Sequence, residues 1–186
     1  ILSPLYPWRY PDPVNALARW SQRQYPQLLA DIHAQSGIDP EYERSGLLIL
    51  DDGDEAETTV WAHRFDMRLE TADSARQREL EPALGATSAR AWWLPEIAQV
   101  RNPRFVKSLR AALENQGVDF IEHRQVTGFK RAGGRVAGVE TDAGLLAAGH
   151  VVVAGGAWSG ELLRGTGLDL PVAPVRGQML LFRAQP

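Results

Sequence analysis

Cysteine is absent from all 186 residues, which excludes disulfides, thiolate metal ligands and a cysteine nucleophile. Lysine is nearly absent: of 20 basic residues only Lys107 and Lys130 are lysines, leaving 18 arginines. No apolar run approaches the roughly 20 residues that span a bilayer. The opening Ile1-Leu-Ser-Pro4 has neither the basic nor the apolar region of a secretory signal. A cytoplasmic protein without membrane contact is expected. His33, His63, His123 and His150 share no ligand spacing, so no metal is expected. Internal repeats and low-complexity tracts are missing. So is a Gly-x-Gly-x-x-Gly after a strand near the N-terminus, the usual pyrophosphate loop of a dinucleotide fold.

What is present suits a globular piece. With 44% apolar residues, a chain of this length buries a substantial core as one domain or two lobes. The net charge of −3 hides segregation: Asp39 to Glu81 holds 13 acids against 5 bases, and Arg101 to Arg135 holds 8 bases against 3 acids. The basic segment lacks interleaved aromatics, so a solvated helix face is the better reading and no nucleic-acid partner is expected.

Periodicity and punctuation predict the elements. Pro4, Pro7, Pro11 and Pro13 stiffen the opening, where Tyr6, Trp8 and Tyr10 alternate. A helix follows from Asp12 as N-cap to Gln35, stopped by Gly37 and kinked or broken by Pro26 near Gln24–Tyr25. Gly46 to Leu50 reads as a strand, Asp51 to Glu55 as a solvated turn, and Glu55 to Phe65 as a helix. Thr71 to Leu80 reads as a helix, and Ala89 to Leu94 as a strand. Asn102 and Pro103 open the clearest helix, to Gln116, with Phe105, Val106, Leu109, Ala112 and Leu113 on one stripe. Val118 to Glu122 is a short strand. Val126–Lys130 and Arg135–Thr141 form a hairpin across Ala132-Gly-Gly134, and Leu145 to Ala148 is a further strand. Val172 to Arg183 reads as a long last strand.

The most informative stretch is Val151-Val-Val-Ala-Gly-Gly-Ala-Trp-Ser-Gly160. Its β-branched run reads as a strand buried on both faces. The glycines then precede a short helical segment, Trp158 to Leu163, an arrangement through which open α/β sheets bring backbone amides to a ligand. Two readings of Gly155 and Gly156 stand on the residues alone: room for a cofactor, or a tight turn that needs positive φ. Gly156 to Gly160 is one residue off the nucleophile-elbow pattern and has no adjacent base, so Ser159 is not read as catalytic.

Ala154-Gly-Gly-Ala-Trp-Ser-Gly160, followed by Leu170-Pro-Val-Ala-Pro-Val-Arg-Gly-Gln-Met179, closely resembles the FAD-dependent amine oxidases of the D-amino-acid oxidase superfamily. Its glycine oxidases of thiamine biosynthesis look nearest. Ile1 to Tyr10, Ser45-Gly-Leu-Leu48, Leu80-Glu-Pro-Ala-Leu84 and Gln99-Val-Arg-Asn-Pro103 are also similar to that family, whose usual Ala is Gly155 here.

The resemblance implies a mixed α/β (α+β) chain: the closing half of a glutathione-reductase-type FAD-binding domain plus part of a mixed-sheet substrate domain. Residues 1–96 would belong to the substrate domain and 97–163 to the FAD domain without its N-terminal unit. Residues 164–186 would form a return strand to the substrate domain. The family's pyrophosphate loop and its carboxylate-binding Arg fall outside this sequence, so a central fragment is expected, inactive alone and retaining no FAD. Val151 to Val153 would lack a neighbouring strand, favouring self-association.

The implied cofactor is FAD, with Gly155, Gly156, Ala157, Trp158, Val126 and Ile1 as its contacts. Leu2 matches the loop beside the flavin ring. Tyr6, Trp8 and Tyr10 either line an amine pocket or pack on a neighbouring surface; Arg176 either binds a carboxylate or forms a structural ion pair. No residue takes a catalytic role. The implied reaction oxidises glycine, sarcosine or a small D-amino acid to an imine and then a 2-oxo acid, with O₂ reduced to hydrogen peroxide. A sarcosine or dimethylglycine oxidase, and a non-catalytic assembly module, are the alternatives.

Overall fold

Residues 1–50 and 53–178 are described by the computed structural model, and the chain folds as two units, Ile1–Asp119 and Phe120–Pro186. In the first unit the Pro-rich opening makes a 3-10 turn, Pro7–Arg9, and enters α1, Asp12–Ser36. Asp12 is the first helical residue and not the cap: Pro11 holds that position without a side-chain bond. Helix α1 also runs unbroken through Pro26. Proline forfeits one backbone bond, and here the packing of α1 on a second helix, α4, Asn102–Asn115, outweighs it. Tyr25 meets Phe105 across that contact at 6.2 Å. Gly37 closes α1 with φ +68, its N–H donating to the His33 carbonyl.

Between these helices lie β1 (Leu47–Leu50), α2 (Glu55–Arg64), β2 (Glu70–Ala72), α3 (Ser74–Leu80) and β3 (Ala91–Leu94). The predicted helix from Thr71 is in fact a strand followed by a helix. Asp73 divides them, its carboxylate accepting from the Arg76 N–H at 2.8 Å as an N-cap. The sheet order is β1-β3-β2, antiparallel throughout. Ile49, Trp61, Ala62, Met67, Trp92, Leu94 and Ile97 form the core, and Tyr6 and Trp8 pack against it. Each large apolar side chain so buried contributes about 2 kcal/mol. Buried polar groups are partnered where they fix loops. Asn15 donates to the Pro7 and Tyr10 carbonyls, both at 3.0 Å. Gln77 donates to the Ala72 and Ser88 carbonyls and accepts from the Ser88 N–H.

The second unit is built on β4 (Val126–Ala132), β5 (Arg135–Thr141) and β6 (Gly144–Ala147), an antiparallel meander. After it come a 3-10 turn, Gly156–Trp158, and the four-residue helix α5, Ser159–Leu162. Three predicted strands are corrected. Val118 to Glu122 joins no ladder among the described residues and leaves Val118, Phe120 and Ile121 exposed. Val151 to Ala154 is not a strand buried on both faces: Val152 is 90% exposed and Val151 and Val153 are half-buried. Residues 172–178 form no strand, and the rest of that prediction, like Asp51 and Asp52, lies outside the described residues. β-Branched sequence favours extended backbone, but a ladder needs a neighbour, and none of the described residues stands beside these segments as one. Among the described residues no helix is long and apolar enough to cross a membrane, and no cluster has the makings of a metal site.

The first unit can be probed at two positions. At Gly46, φ is +70 and a Cβ would stand 1.9 Å from the Trp93 ring; Gly46→Ala therefore destabilises the chain by about 3 kcal/mol, read as a lowered urea midpoint. Asp54 accepts from Arg9 Nε at 2.7 Å and from Trp8 Nε1 at 3.2 Å. The Arg9 hydrogen bond chiefly holds its carboxyl below the ordinary 3.8, against an opposing effect of burial and with help from the Trp8 hydrogen bond. A folded-state pKa below the unfolded one stabilises above the unfolded value. That stability is lost as pH falls below 3.8 through the folded value, so Asp54→Asn flattens the acid limb of a stability–pH profile.

Candidate functional site

Backbone geometry in the second unit brings two distant segments to one cleft. Gly133 and Gly134, with φ +57 and +77, form the two-residue turn between β4 and β5, and the two positive φ values match the twist of the flanking strands. That turn returns β5 along β4, and Val126, at the start of β4, pairs with Thr141. Downstream, the Trp158 N–H donates to the Gly155 carbonyl at 3.1 Å, closing the 3-10 turn, and Ser159 is buried beneath it. Val126 and Trp158 then line the same cleft of about 780 Å³. Trp158 also borders a second cleft of about 720 Å³, together with Ala157. At 69% exposure its ring is not held by a core.

The glycines resolve into two cases. Gly156 has φ +55, the left-handed region, and an added Cβ would meet nothing within 4 Å, so its requirement is conformational. Gly155 has φ −80, and a Cβ there would meet Leu162 Cδ1 at 3.1 Å and Ser159 Oγ at 3.3 Å. Its requirement is close packing of the turn on α5. Both leave backbone unshielded beside Trp158. Arg131 and Arg164, which sequence reasoning did not single out, also line the larger cleft; neither has an ion pair among the described residues. Charge alone could not have found them among 18 arginines.

Most of the other predicted positions belong to the first unit. Leu2 is tied down, its N–H donating to the Ala98 carbonyl and its carbonyl accepting from Gln22 Nε2, both at 2.8 Å. Ile1 is 69% exposed and with Leu2 borders a cavity of about 270 Å³. Tyr6 and Trp8 meet edge to face at 5.9 Å, and Trp8 meets Trp61 at 6.0 Å. Arg9 lies over the Tyr6 ring at 4.5 Å. Tyr6 carries φ +53, a strained position for an aromatic residue. Tyr10 is exposed. Arg176 is exposed and has no ion pair among the described residues.

Against known proteins, the family model described as FAD dependent oxidoreductase matches residues 1–186. A glycine oxidase of Pseudomonas putida is 51% identical over 184 residues, covering 98% of this chain and 50% of that protein. A glycine oxidase of Pseudomonas aeruginosa is 44% identical over the same length, with the same coverage. Among solved structures, glycine oxidase from Bacillus cereus aligns with a TM-score of 0.74 at 29% identity, over 83% of this chain and 44% of that one. The chain thus spans about half the length of the curated relatives it matches.

Because Trp158 has no core around it, Trp158→Ala is expected to leave stability within about 0.5 kcal/mol of the parent, measured by urea denaturation. A larger loss would mean that the ring serves folding.

Proposed function

The chain belongs to the family of FAD-dependent oxidoreductases, and from that premise we propose that it is the central piece of an amine oxidase acting on glycine. Sarcosine or a small D-amino acid would be a secondary substrate, and thiamine biosynthesis the setting. The observation that carries this is the cleft shared by Val126 and Trp158, together with 51% identity to a glycine oxidase.

The residues present fit a flavin nucleotide. The cleft has the size of a small-molecule site. Gly155 and Gly156 allow backbone to approach the cofactor, Trp158 offers an aromatic face, and Arg131 and Arg164 offer cations to phosphate. Bound FAD would supply the two-electron oxidation of the amine and the return of electrons to O₂. This chain's residues would hold and orient the cofactor, and no side chain here moves a proton. Ile1 is assigned to the flavin contacts, and Leu2 and the strained Tyr6 to the substrate side. Over the whole reaction glycine, water and O₂ give glyoxylate, ammonia and hydrogen peroxide. A cytoplasmic location belongs to the same reading, as does the division into a substrate lobe and a flavin lobe.

Self-association of the isolated chain is part of the proposal. No backbone hydrogen bond joins residues 149–154 to another segment among the described residues. The outward Val152 sits on that open run. In the second unit only Gly138 and Ser159 are buried among the described residues.

Replacing the matching half of the Pseudomonas putida glycine oxidase with this chain tests the activity. The chimaera is expected to purify yellow and to release peroxide with glycine, and Gly155→Val in it should abolish the flavin spectrum. A folded chimaera without flavin would sink the proposal, and peroxide from sarcosine but not glycine would reassign the amine. By itself the chain is expected to be colourless after mixing with FAD and desalting. Sedimentation should show a concentration-dependent dimer that Val152→Asp returns to monomer.

A further inference from the structure

A second concave site lies in the first unit, and it shares only Leu2 with the flavin reading. Arg19, Gln22, Arg23 and Pro26 fall at i, i+3, i+4 and i+7 of α1, one face of the helix. Opposite stands a short two-stranded ribbon made by the chain entering β1 and the chain leaving β3. Glu43 and Gln99 bridge it through mutual backbone hydrogen bonds of 3.0 and 2.8 Å. Extended backbone sends alternate side chains to opposite sides, so Tyr42 and Arg44 share one side; Glu96, in the turn after β3, and Ala98 line the same pocket. These two faces enclose a pocket of about 280 Å³.

The charges lining it do not balance. Three guanidiniums face a single carboxylate, Glu96. Glu96 is taken by Arg19 Nη1 at 3.2 Å, and Arg19 Nη2 also donates to the Asp66 carbonyl at 2.6 Å. Among the described residues Arg23 has only the Asp66 carboxylate, at 3.8 Å and 92% exposed, a contact that solvent screens heavily. Arg44 has no ion pair among the described residues. The nearby Glu41 is occupied by Arg101 and Arg104. Among the described residues, two cations therefore border a concavity that supplies neither with a close counter-ion. Leu2, Pro26 and Ala98 give it an apolar wall, and the Tyr42 hydroxyl adds a donor.

We propose that this pocket binds a small carboxylate. Arg23 and Arg44 clamp the carboxyl group, and the short apolar end lies against Leu2, Pro26 and Ala98. The volume of about 280 Å³ leaves room for a two- or three-carbon acid together with water. Planar guanidinium donors suit a planar carboxylate better than they suit a point charge. The site is built entirely within the first unit and does not rest on the flavin proposal, so either can fail without the other.

The test is an amide and arginine Nε NMR titration of the 186-residue chain with pyruvate, with inorganic phosphate and ethylamine as separate arms. Pyruvate is expected to give saturable shifts at Leu2, Gln22, Arg44 and Ala98, with a midpoint of about 1–10 mM. Arg23→Gln with Arg44→Gln is expected to weaken binding about tenfold. Arg64→Gln, on the exposed pair with Asp12, should leave it unchanged. These arginines are surface groups, so unaltered spectra elsewhere confirm that the variants fold. Absence of saturable shifts, equal binding of phosphate, binding of ethylamine, or a double variant that binds as the parent does would each overturn the assignment.

Discussion

The first unit depends on β3 being paired along both edges. Among its described strands, Ala91 to Leu94 alone has two neighbours, meeting β1 on one side and β2 on the other. Ala91 and Leu94 are fully buried, as is Ala72 across the β2 pairing. Because the ladder satisfies the backbone of β3, its side chains can be given wholly to packing: Trp92 joins Trp61 in the core, and Trp93 lies over Gly46. The Pro-rich opening is then laid on that core through Tyr6 and Trp8 and pinned by Asn15 and Asp54.

The second unit also has a strand paired along both edges, β5, but of its residues only Gly138 is buried. Its meander satisfies its own backbone, but Val151 to Ala154 pairs with none of them. Val151 and Val153 lie beside Phe129 and Val136 in a shared apolar cavity, and Val152 is turned outward. A short apolar segment open on its edges and one face is incompletely stabilised, because its amides keep water and its side chains keep little cover. The segment proposed to contact the cofactor begins at the end of this run. Gly155 to Trp158 has its local turn, with one internal hydrogen bond, yet Trp158 remains exposed. The proposed flavin site, made of exposed backbone and an exposed aromatic ring, has few packing contacts to hold it rigid, and rigidity is what preorganised binding requires.

The flavin-sized cleft and the arginine pocket differ in origin. The cleft joins Val126 to Trp158, distant in sequence, through a hairpin and a 3-10 turn. The pocket joins a helix face to a bridged ribbon. Its cations come from Arg19 and Arg23 on one element and Arg44 on another, and Asp66 and Glu96 pair with Arg19 and Arg23 alone among the described residues.

Local chemistry made much of this legible in advance. Gly37 ended α1, Pro103 opened α4 within a residue of its start, and the paired glycines 133 and 134 marked the hairpin, since each reflects a backbone preference carried by one or two residues. The wording around Gly155 to Gly160 likewise led to the flavoprotein family, because a cofactor constrains a contiguous loop. Tertiary structure decided the rest. Pro26 did not break α1, because packing on α4 offset one lost hydrogen bond, and Asp73 split an expected helix by capping. Val118–Glu122 and Val151–Ala154 have strand composition but join no ladder among the described residues, since a ladder is a property of two segments and β-propensity of one. The use of Tyr6 and Trp8 against the core, and the gathering of Arg19, Arg23 and Arg44 around one pocket, depend on which chain segments lie opposite each other, and no local pattern encodes that.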